Sequence, residues 1–348
     1  MKPTALVVTT VHWPDDTRIR ERLIRTLGRN FEVTYATRSP GPSDPSGLDW
    51  VPLEGGRLRR NLSALRVCLR RQFDVLVVHD PELIPAAMAS RLIRRRPVVL
   101  DVHENIPAIA MTREWVPRAM RRPLAGVMRW ILRLSERALT ITLAEEGYLE
   151  LFARDHVVFP NYPDTGRYPE PKPGDRSVVY LGDVTAERGA RVAVEACRTA
   201  GLALTLVGRV GDELRQELSE SFPHGPGVRF TGELANPVAL EEIRGRGVAV
   251  SPLLDLPNYR HSAPTKVLEY LALGLPVVAS DIPGTRGLVA GLGAVELVTP
   301  GDPDLLAAAM LRSLEPEVRH SAARQAPRVR ESFRWPSDEV TRFYLSLV

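Results

Sequence analysis

Short runs of Val, Leu, Ile and Ala, nearly unbroken by polar residues, alternate with amphipathic helical patterns along the 348-residue chain. Strands buried on both faces read this way, because neither face can carry polar side chains. Alternation of such strands with helices leads to parallel sheets joined by right-handed crossovers. In the front part the strand-like runs are Ala5–Thr10, Phe31–Thr37, Val75–His79, Val98–Val102, Leu139–Leu143 and His156–Phe159. Leu58, Leu62, Leu65 and Leu69 form an expected apolar helical stripe, with Arg59, Arg60, Arg66 and Arg70 off it. In the back part the runs are Ser177–Leu181, Leu202–Val207, Val228–Thr231, Val248–Ser251, Pro276–Ser280 and Val295–Val298. Helices are expected between them near 187–200, 211–221, 236–245, 264–273 and 284–291, and in the tail at 302–314, 316–331 and 337–347.

Five prolines fall in the fourteen residues from Pro160 to Pro173, a stretch that can continue neither a helix nor a central strand. It divides the chain into a domain at 1–160, a stiff linker at 161–175 and a domain at 176–336. The expected fold class is α/β, with two doubly wound, Rossmann-like domains. In such folds ligands sit beyond the carboxyl ends of the strands, so two domains are expected to line one cleft.

Several function classes drop out. An apolar share of 44% with 25% charged residues excludes a disordered or collagen-like chain. No G-x-G-x-x-G or G-x-x-x-x-G-K-[ST] run occurs, and the turn Thr10-Val11-His12-Trp13-Pro14 lacks glycine, which disfavours nicotinamide and P-loop chemistry. Cys68 and Cys197 are too few for a disulfide framework or a cysteine metal cluster, so a reducing cytoplasm is expected. The apolar start reads as a first strand rather than a signal peptide. Residues 1–160 hold 25 Lys and Arg against 18 Asp and Glu, whereas 161–348 hold 21 against 24, so the basic charge belongs to the front half. No basic stripe is interleaved with stacking aromatics, and nucleic acid is not expected as a partner.

The run from His261 to Asp281 carries the most chemistry. It reads as a short helix with Pro264 at its first position, Gly274 past its end and Pro276 preventing continuation. Val267, Leu268, Leu271 and Ala272 are expected to face the sheet, with Lys266 and Glu269 three apart on the other face. Free N–H groups and an ammonium at a helix start form an anion site. A carboxylate one turn later can accept two hydrogen bonds from a vicinal diol. Diphosphate by Lys266 and ribose by Glu269 would describe a nucleoside diphosphate. An ordinary surface Lys–Glu pair fits the same pattern.

This run resembles the donor-binding segment of GT-B-fold glycosyltransferases of family 4, where P-[ST]-K-x-x-E-Y-x-A-x-G-x-P-V-V-A-S recurs. His12–Ile19 (HWPDDTRI) is similar to that group's first loop, and Val99–Pro107 (VLDVHENIP) to its D-x-H-E loop. Asn161–Asp164 (NYPD) resembles the hinge, and Tyr180–Gly189 (YLGDVTAERG) the phosphate loop. The resemblance implies GT-B architecture, an acceptor-binding first domain, a donor-binding second domain and a last helix, 337–348, crossing back to the first. It implies transfer from a nucleotide sugar, a UDP-sugar foremost, with retention. The sugar nucleotide is a co-substrate, and neither a further cofactor nor a metal is implied. The acceptor is a small molecule, a glycan or a lipid-linked compound.

Carried over residue by residue, the catalytic positions are His103, Arg188 and Lys266. The donor positions are Gly182, Asp183, Arg188, Arg209, His261, Lys266 and Glu269. Arg188 matches the cation that neutralises the leaving diphosphate, and His103 the histidine that contacts the donor sugar. His12, Asp16, Arg18 and Glu104 are the acceptor-side positions, although Asp16 reads equally well as the cap of a helix at 17–29. Gly208 and Gly232 are expected either to line the base or to serve turns.

Two departures stand out. His261 occupies the position eight before Glu269 where many members carry Glu, and Asp183 follows Gly182 where many carry Arg, with Lys266 or Arg209 as compensating cations. They keep open a non-catalytic nucleotide-binding subunit and a same-fold epimerase or phosphorylase.

Residues 117–137 combine Arg118, Arg121, Arg122, Arg129, Arg133 and Arg137 with Met120, Leu124, Val127, Met128, Trp130 and Ile131. This describes either a basic amphipathic helix for anionic lipid or a solvated Arg face over a core stripe. The expected location is therefore cytoplasmic, with peripheral contact at the inner membrane face as the further alternative.

Overall fold

The computed structural model describes the chain apart from Met1 and residues 45–46, 113–115, 222–226, 258 and 261–262. It contains two compact units, Met1–Asn161 with Trp335–Val348, and Tyr162–Arg334.

The first unit is a seven-stranded parallel sheet. Its strands are β1 (Thr4–Val8), β2 (Glu32–Arg38), β3 (Asp49–Leu53), β4 (Val75–Val78), β5 (Val98–Val102), β6 (Thr140–Leu143) and β7 (Val157–Val158). They lie in the order β3-β2-β1-β4-β5-β6-β7, so the strand order reverses beside β1. β4 and β5 are buried along their whole length, as their apolar runs, interrupted only by Asp101 in β5, require. β3 is absent from the sequence reading. Its D-W-V-P-L run has mixed polarity and contains Pro52, which an edge strand tolerates because one side needs no N–H donor.

The helix Arg57–Arg70 corrects the expected stripe. Ala64 and Cys68 face the core, while Leu58 and Leu62 are exposed, because the small residues set the side that packs closest. The first helix runs from Thr17 through Ile24, wound with π-type bonds, and continues to Leu27. It stops two residues before the expected Arg29. Asp16 caps it, accepting from the N–H groups of Arg18 and Ile19 at 2.9 and 3.0 Å. The C-terminal segment closes this unit. Trp335 Nε1 donates to Thr26 Oγ1 at 2.9 Å, and Val340 and Tyr344 of the helix Ser337–Ser346 are buried with Ile19, Leu23, Val77 and Val99.

The second unit is a six-stranded parallel sheet of β8 (Val178–Leu181), β9 (Leu204–Val207), β10 (Val228–Gly232), β11 (Val248–Ser251), β12 (Val277–Ser280) and β13 (Val295–Val298). The order β10-β9-β8-β11-β12-β13 again reverses beside the first strand, here β8. Apolar clusters cover both faces. The proline-rich stretch expected to be a linker lies against this unit. Arg330 donates to the carbonyls of Ala272 and Pro169 at 2.7 and 2.5 Å, and Arg319 to that of Gly174 at 2.8 Å.

The helix Thr265–Ala272 starts one residue later than expected, with Pro264 as its cap. It ends where Gly274 adopts φ +75°, and Leu275 N–H closes onto the Tyr270 carbonyl at 3.0 Å.

Candidate functional site

In the first unit, the turns after β1, β4 and β5 converge on a buried cluster of histidines and carboxylates. Asp101 lies inside β5, 3% exposed, a charge in an otherwise apolar strand. Arg18 grips both its oxygens at 2.9 and 2.8 Å and donates to the Phe159 carbonyl at 3.0 Å. Thr142 of β6 adds a bond to Asp101 at 2.8 Å. Burial alone would raise the Asp101 pKa, but the Arg18 guanidinium holds it well below the usual carboxylate range.

His79 Nδ1 and His103 Nδ1 face Asp101 at 3.3 and 3.7 Å. Burial pushes the His79 pKa down. At His103 burial acts the same way, but the hydrogen bonding and charge of Asp101, with Asp16 adding, prevail and raise it. His12 completes the cluster. Its Nε2 lies 3.0 Å from His103 Nε2 and 3.3 Å from Asp80, and its Nδ1 lies 3.7 Å from Asp16. Two imidazole nitrogens at 3.0 Å require one proton between them. Asp80 is anchored by the hydroxyls of Thr9 and Thr10 and the N–H groups of Thr10 and Val11.

The structure thus brings together His12, Asp16, Arg18 and His103 of the expected residues. Glu104 is exposed and points to no partner in this cluster. Arg18 is a buried structural anchor, 3% exposed, rather than a group open to an acceptor. His79, Asp80 and Asp101 were missed. Asp101 had a signal, a lone carboxylate in an apolar strand, and His79-Asp80 end a strand as His103 does. His79, Asp101 and His103 each place one ligand-type atom within 4.8 Å of the others. Arg18 and Thr142 already occupy the Asp101 oxygens, so the trio forms the wall of an ion pair rather than a metal centre.

In the second unit, the loop after β8 and the helix Thr265–Ala272 build another cluster. Gly182 adopts φ +116° and Gly208, after β9, φ +145°. A Cβ on Gly208 would stand 2.0 Å from the Gly182 carbonyl oxygen, so close packing of these loops accounts for that glycine. The same holds for Gly189, whose added Cβ would meet the Pro252 oxygen at 1.8 Å. Arg188 lies over the Tyr259 ring at 5.9 Å. Lys266 Nζ is buried, lies 4.0 Å above the Tyr180 ring and has no hydrogen-bond acceptor among the described residues. Burial and the nearby Arg188 guanidinium bring its pKa down to about 7.

Glu269 is 6% exposed and accepts a bond from Tyr168 at 3.1 Å. The expected outer face of this helix is therefore buried as well, and the surface-pair reading falls. All residues from Val267 to Ala272 are buried, because the helix Pro316–Ser332 packs on this helix through Ala322 and Val329 and Tyr168 covers Glu269. Tyr270 holds the loop by accepting from Leu181 N–H at 2.6 Å. Arg209, expected as a spare cation, is paired with Asp183 at 2.9 Å and with Glu233 at 3.6 Å. His261 lies outside the described residues.

Two doubly wound parallel sheets, with charged clusters at the turns after their strands, define a two-domain Rossmann-like protein of GT-B architecture. Residues 17–167 match the family described as glycosyltransferase family 4, and residues 175–316 match glycosyl transferases group 1. The chain belongs to the GT-B glycosyltransferases of family 4. It is similar to phosphatidyl-myo-inositol mannosyltransferase of Mycolicibacterium smegmatis, with 27% identity over 262 residues, which cover 70% of this chain and 62% of that protein. The chain thus spans less than two thirds of that relative's length. In fold it is similar to sucrose-phosphate synthase from Thermosynechococcus elongatus, with a TM-score of 0.76, 17% identity and coverage of 100% and 99% of the two chains. It is also similar to HepE of Anabaena in complex with UDP and glucose, with a TM-score of 0.72, 13% identity and coverage of 99% and 98%.

Proposed function

We propose that this chain transfers a sugar from a nucleoside diphosphate donor, a UDP-sugar foremost, to an acceptor hydroxyl with retention. The observation that carries this reading is the buried Lys266 ammonium site beside Arg188, one turn before the buried carboxylate of Glu269. Glu269 accepts the two ribose hydroxyls, and Arg188 and Lys266 face the diphosphate. As the donor C1–O bond breaks, negative charge grows on the diphosphate, and fixed cations favour that state over the ground state. The acceptor oxygen forms the new C1–O bond and its proton passes to the departing diphosphate. The first unit holds the acceptor. The UDP-bound state of HepE supports the donor class, and the mannosyltransferase relatives support a lipid-linked acceptor.

A thermal-shift screen of UDP, GDP, TDP and ADP and their glucose and mannose derivatives tests this, since a ligand that binds the native state raises its melting temperature. A rise with one nucleotide, followed by acceptor-dependent consumption of its sugar, is expected. Binding without turnover would leave a nucleotide-binding subunit, and consumption without an acceptor would indicate an epimerase or hydrolase.

A second reading concerns where the acceptor resides. In the helix Arg118–Ser135, Leu132 is buried and Met128 and Ile131 pack on the core, but Met120, Val127 and Trp130 are 56%, 52% and 63% exposed. They are accompanied by exposed Arg118, Arg122, Arg129 and Arg133. The helix therefore has the core stripe, and beside it an exposed face that is both apolar and basic. We propose that it rests on an anionic membrane surface. No described helix is long and apolar enough to cross a membrane. Sedimentation with phosphatidylglycerol vesicles at low and high salt tests the contact, and absence of pelleting at low salt overturns it.

A further inference from the structure

Lys266 differs from the other cations near the loop after β8. Arg209 is held by two carboxylates, and Arg188 lies against Tyr259. Lys266 Nζ is buried against the Tyr180 ring at 4.0 Å with no acceptor for its protons among the described residues. The charged groups that act on it come from two elements. Arg188, on the loop after β8, repels the ammonium, while Asp183 on the same loop and Glu269 on its own helix attract it. The Asp183 carboxylate is turned to Arg209 at 2.9 Å, and Glu269 accepts from Tyr168 at 3.1 Å. Tyr180 faces it as a neutral phenol, its pKa pushed up by burial. Desolvation without a partner favours the neutral amine.

We propose that the diphosphate site is proton-linked: Lys266 is in large part a neutral amine in the ligand-free protein and takes one proton from solvent when a diphosphate arrives. The inference rests on the donor-site reading above. The incoming oxygens supply the acceptors that the ammonium lacks, and their negative charge reverses the effect of Arg188. The Nζ pKa of about 7 in the ligand-free protein then rises toward the ordinary lysine value on binding. Because the site binds ligand plus proton, affinity falls by up to about tenfold per pH unit above roughly pH 7. Departure of the nucleoside diphosphate returns the proton to solvent.

The chain contains three lysines, Lys2, Lys172 and Lys266, and the first two are exposed. Protein labelled with 13C at lysine Cε therefore gives three resonances, and Lys266→Met identifies the one of interest. In the ligand-free wild type, the Lys266 resonance should titrate near 7. Saturating inorganic pyrophosphate or UDP-glucose should move the Lys266 midpoint up by at least about one unit. Calorimetry with UDP-glucose at pH 8, in two buffers of different ionisation enthalpy, should show uptake of about 0.4 proton for a one-unit shift, approaching roughly 0.9 as the bound midpoint nears 10. The Lys266→Met protein should show none. The diphosphate of UDP-glucose does not itself titrate near neutrality, so the proton belongs to the protein.

A ligand-free midpoint near 10, or tight binding with no midpoint shift and no proton uptake, overturns the linkage and leaves the donor reading standing. Undiminished uptake in Lys266→Met moves the proton to another group and also overturns it. Failure of pyrophosphate and of the UDP-, GDP-, TDP- and ADP-sugars to bind the folded wild type overturns both.

Discussion

Replacing Asp101 by Asn tests the reading of the first unit as a histidine cluster built on a buried ion pair. Arg18 and Asp101 are each 3% exposed and joined by two hydrogen bonds of 2.9 and 2.8 Å. The amide keeps the shape but leaves Arg18 charged, buried and without its counterion. Breaking such a pair from one side costs about 3–5 kcal/mol, because the remaining charge has lost its solvent and its partner. For a domain of this size, 1 kcal/mol corresponds to roughly 2–4 °C. The melting transition of the first unit should fall by about 6–20 °C in calorimetry.

The pH dependence separates charge from packing. The folded pKa of Asp101 lies well below its unfolded value, so its contribution to stability is present above about pH 4 and is lost as pH falls through the folded value. Wild type and Asp101→Asn should therefore converge in stability as the pH drops below about 4, and differ most near neutrality. The double variant Arg18→Met, Asp101→Leu should recover most of the loss, since an apolar pair of similar volume often replaces a buried ion pair at little cost. A loss below about 1 kcal/mol for Asp101→Asn, or no convergence in acid, would refute the buried-pair reasoning.

Further outcomes follow from the second unit. Glu269→Gln should weaken nucleotide affinity about 10- to 100-fold in calorimetry while the protein remains folded, because hydrogen bonds to a charged acceptor contribute about 1.5–3 kcal/mol. Gly208→Ala should destabilise the unit by about 2 kcal/mol or more in urea denaturation, since its φ of +145° and the 2.0 Å approach to the Gly182 oxygen exclude a Cβ. Asp183→Asn should remove one of the two carboxylates that hold Arg209, leaving Glu233, and tighten nucleoside diphosphate binding roughly two- to fivefold, the scale of a half-exposed charge pair. Weaker binding would show that Asp183 orients Arg209 for the ligand.

Most of the fold was legible because period and composition agree in buried parallel strands. β5, β11 and β13 have the boundaries that the apolar runs mark. β3 was not, because an edge strand that faces solvent can carry Asp49 and Pro52 and lose the apolar signature. The helix Arg57–Arg70 shows the converse failure. Its leucines suggested a stripe, yet Ala64 and Cys68 pack inward and Leu58 remains 81% exposed. Hydrophobicity at helical spacing marks a candidate face, and closeness of approach selects the face that is used. At the site, the Lys266–Glu269 spacing and His103 at a strand end were visible. The partners of Tyr168, Tyr180, His79 and Asp101 were not, because these contacts join residues 22 to 101 positions apart. That is tertiary information, which neither spacing nor propensity carries.

The two clusters handle buried charge in opposite ways, and the contrast bears on what each is for. Asp101 has every oxygen engaged, by Arg18 and Thr142, and the C-terminal helix seals the pair with Tyr344. A charge compensated so completely offers nothing to a ligand. Its effect is to fix the surroundings of His79 and His103, while Asp16 and His12, with side chains 28% and 15% exposed, are more open than His103 at 9%. Lys266 is buried without an acceptor among the described residues, an arrangement that is unfavourable until an anion enters. Satisfied buried charges build a scaffold, and an unsatisfied one stores a preference for a ligand of opposite sign. On this ground the diphosphate specificity proposed for the second unit would reside in Lys266 more than in Arg209, whose charge Asp183 and Glu233 already offset.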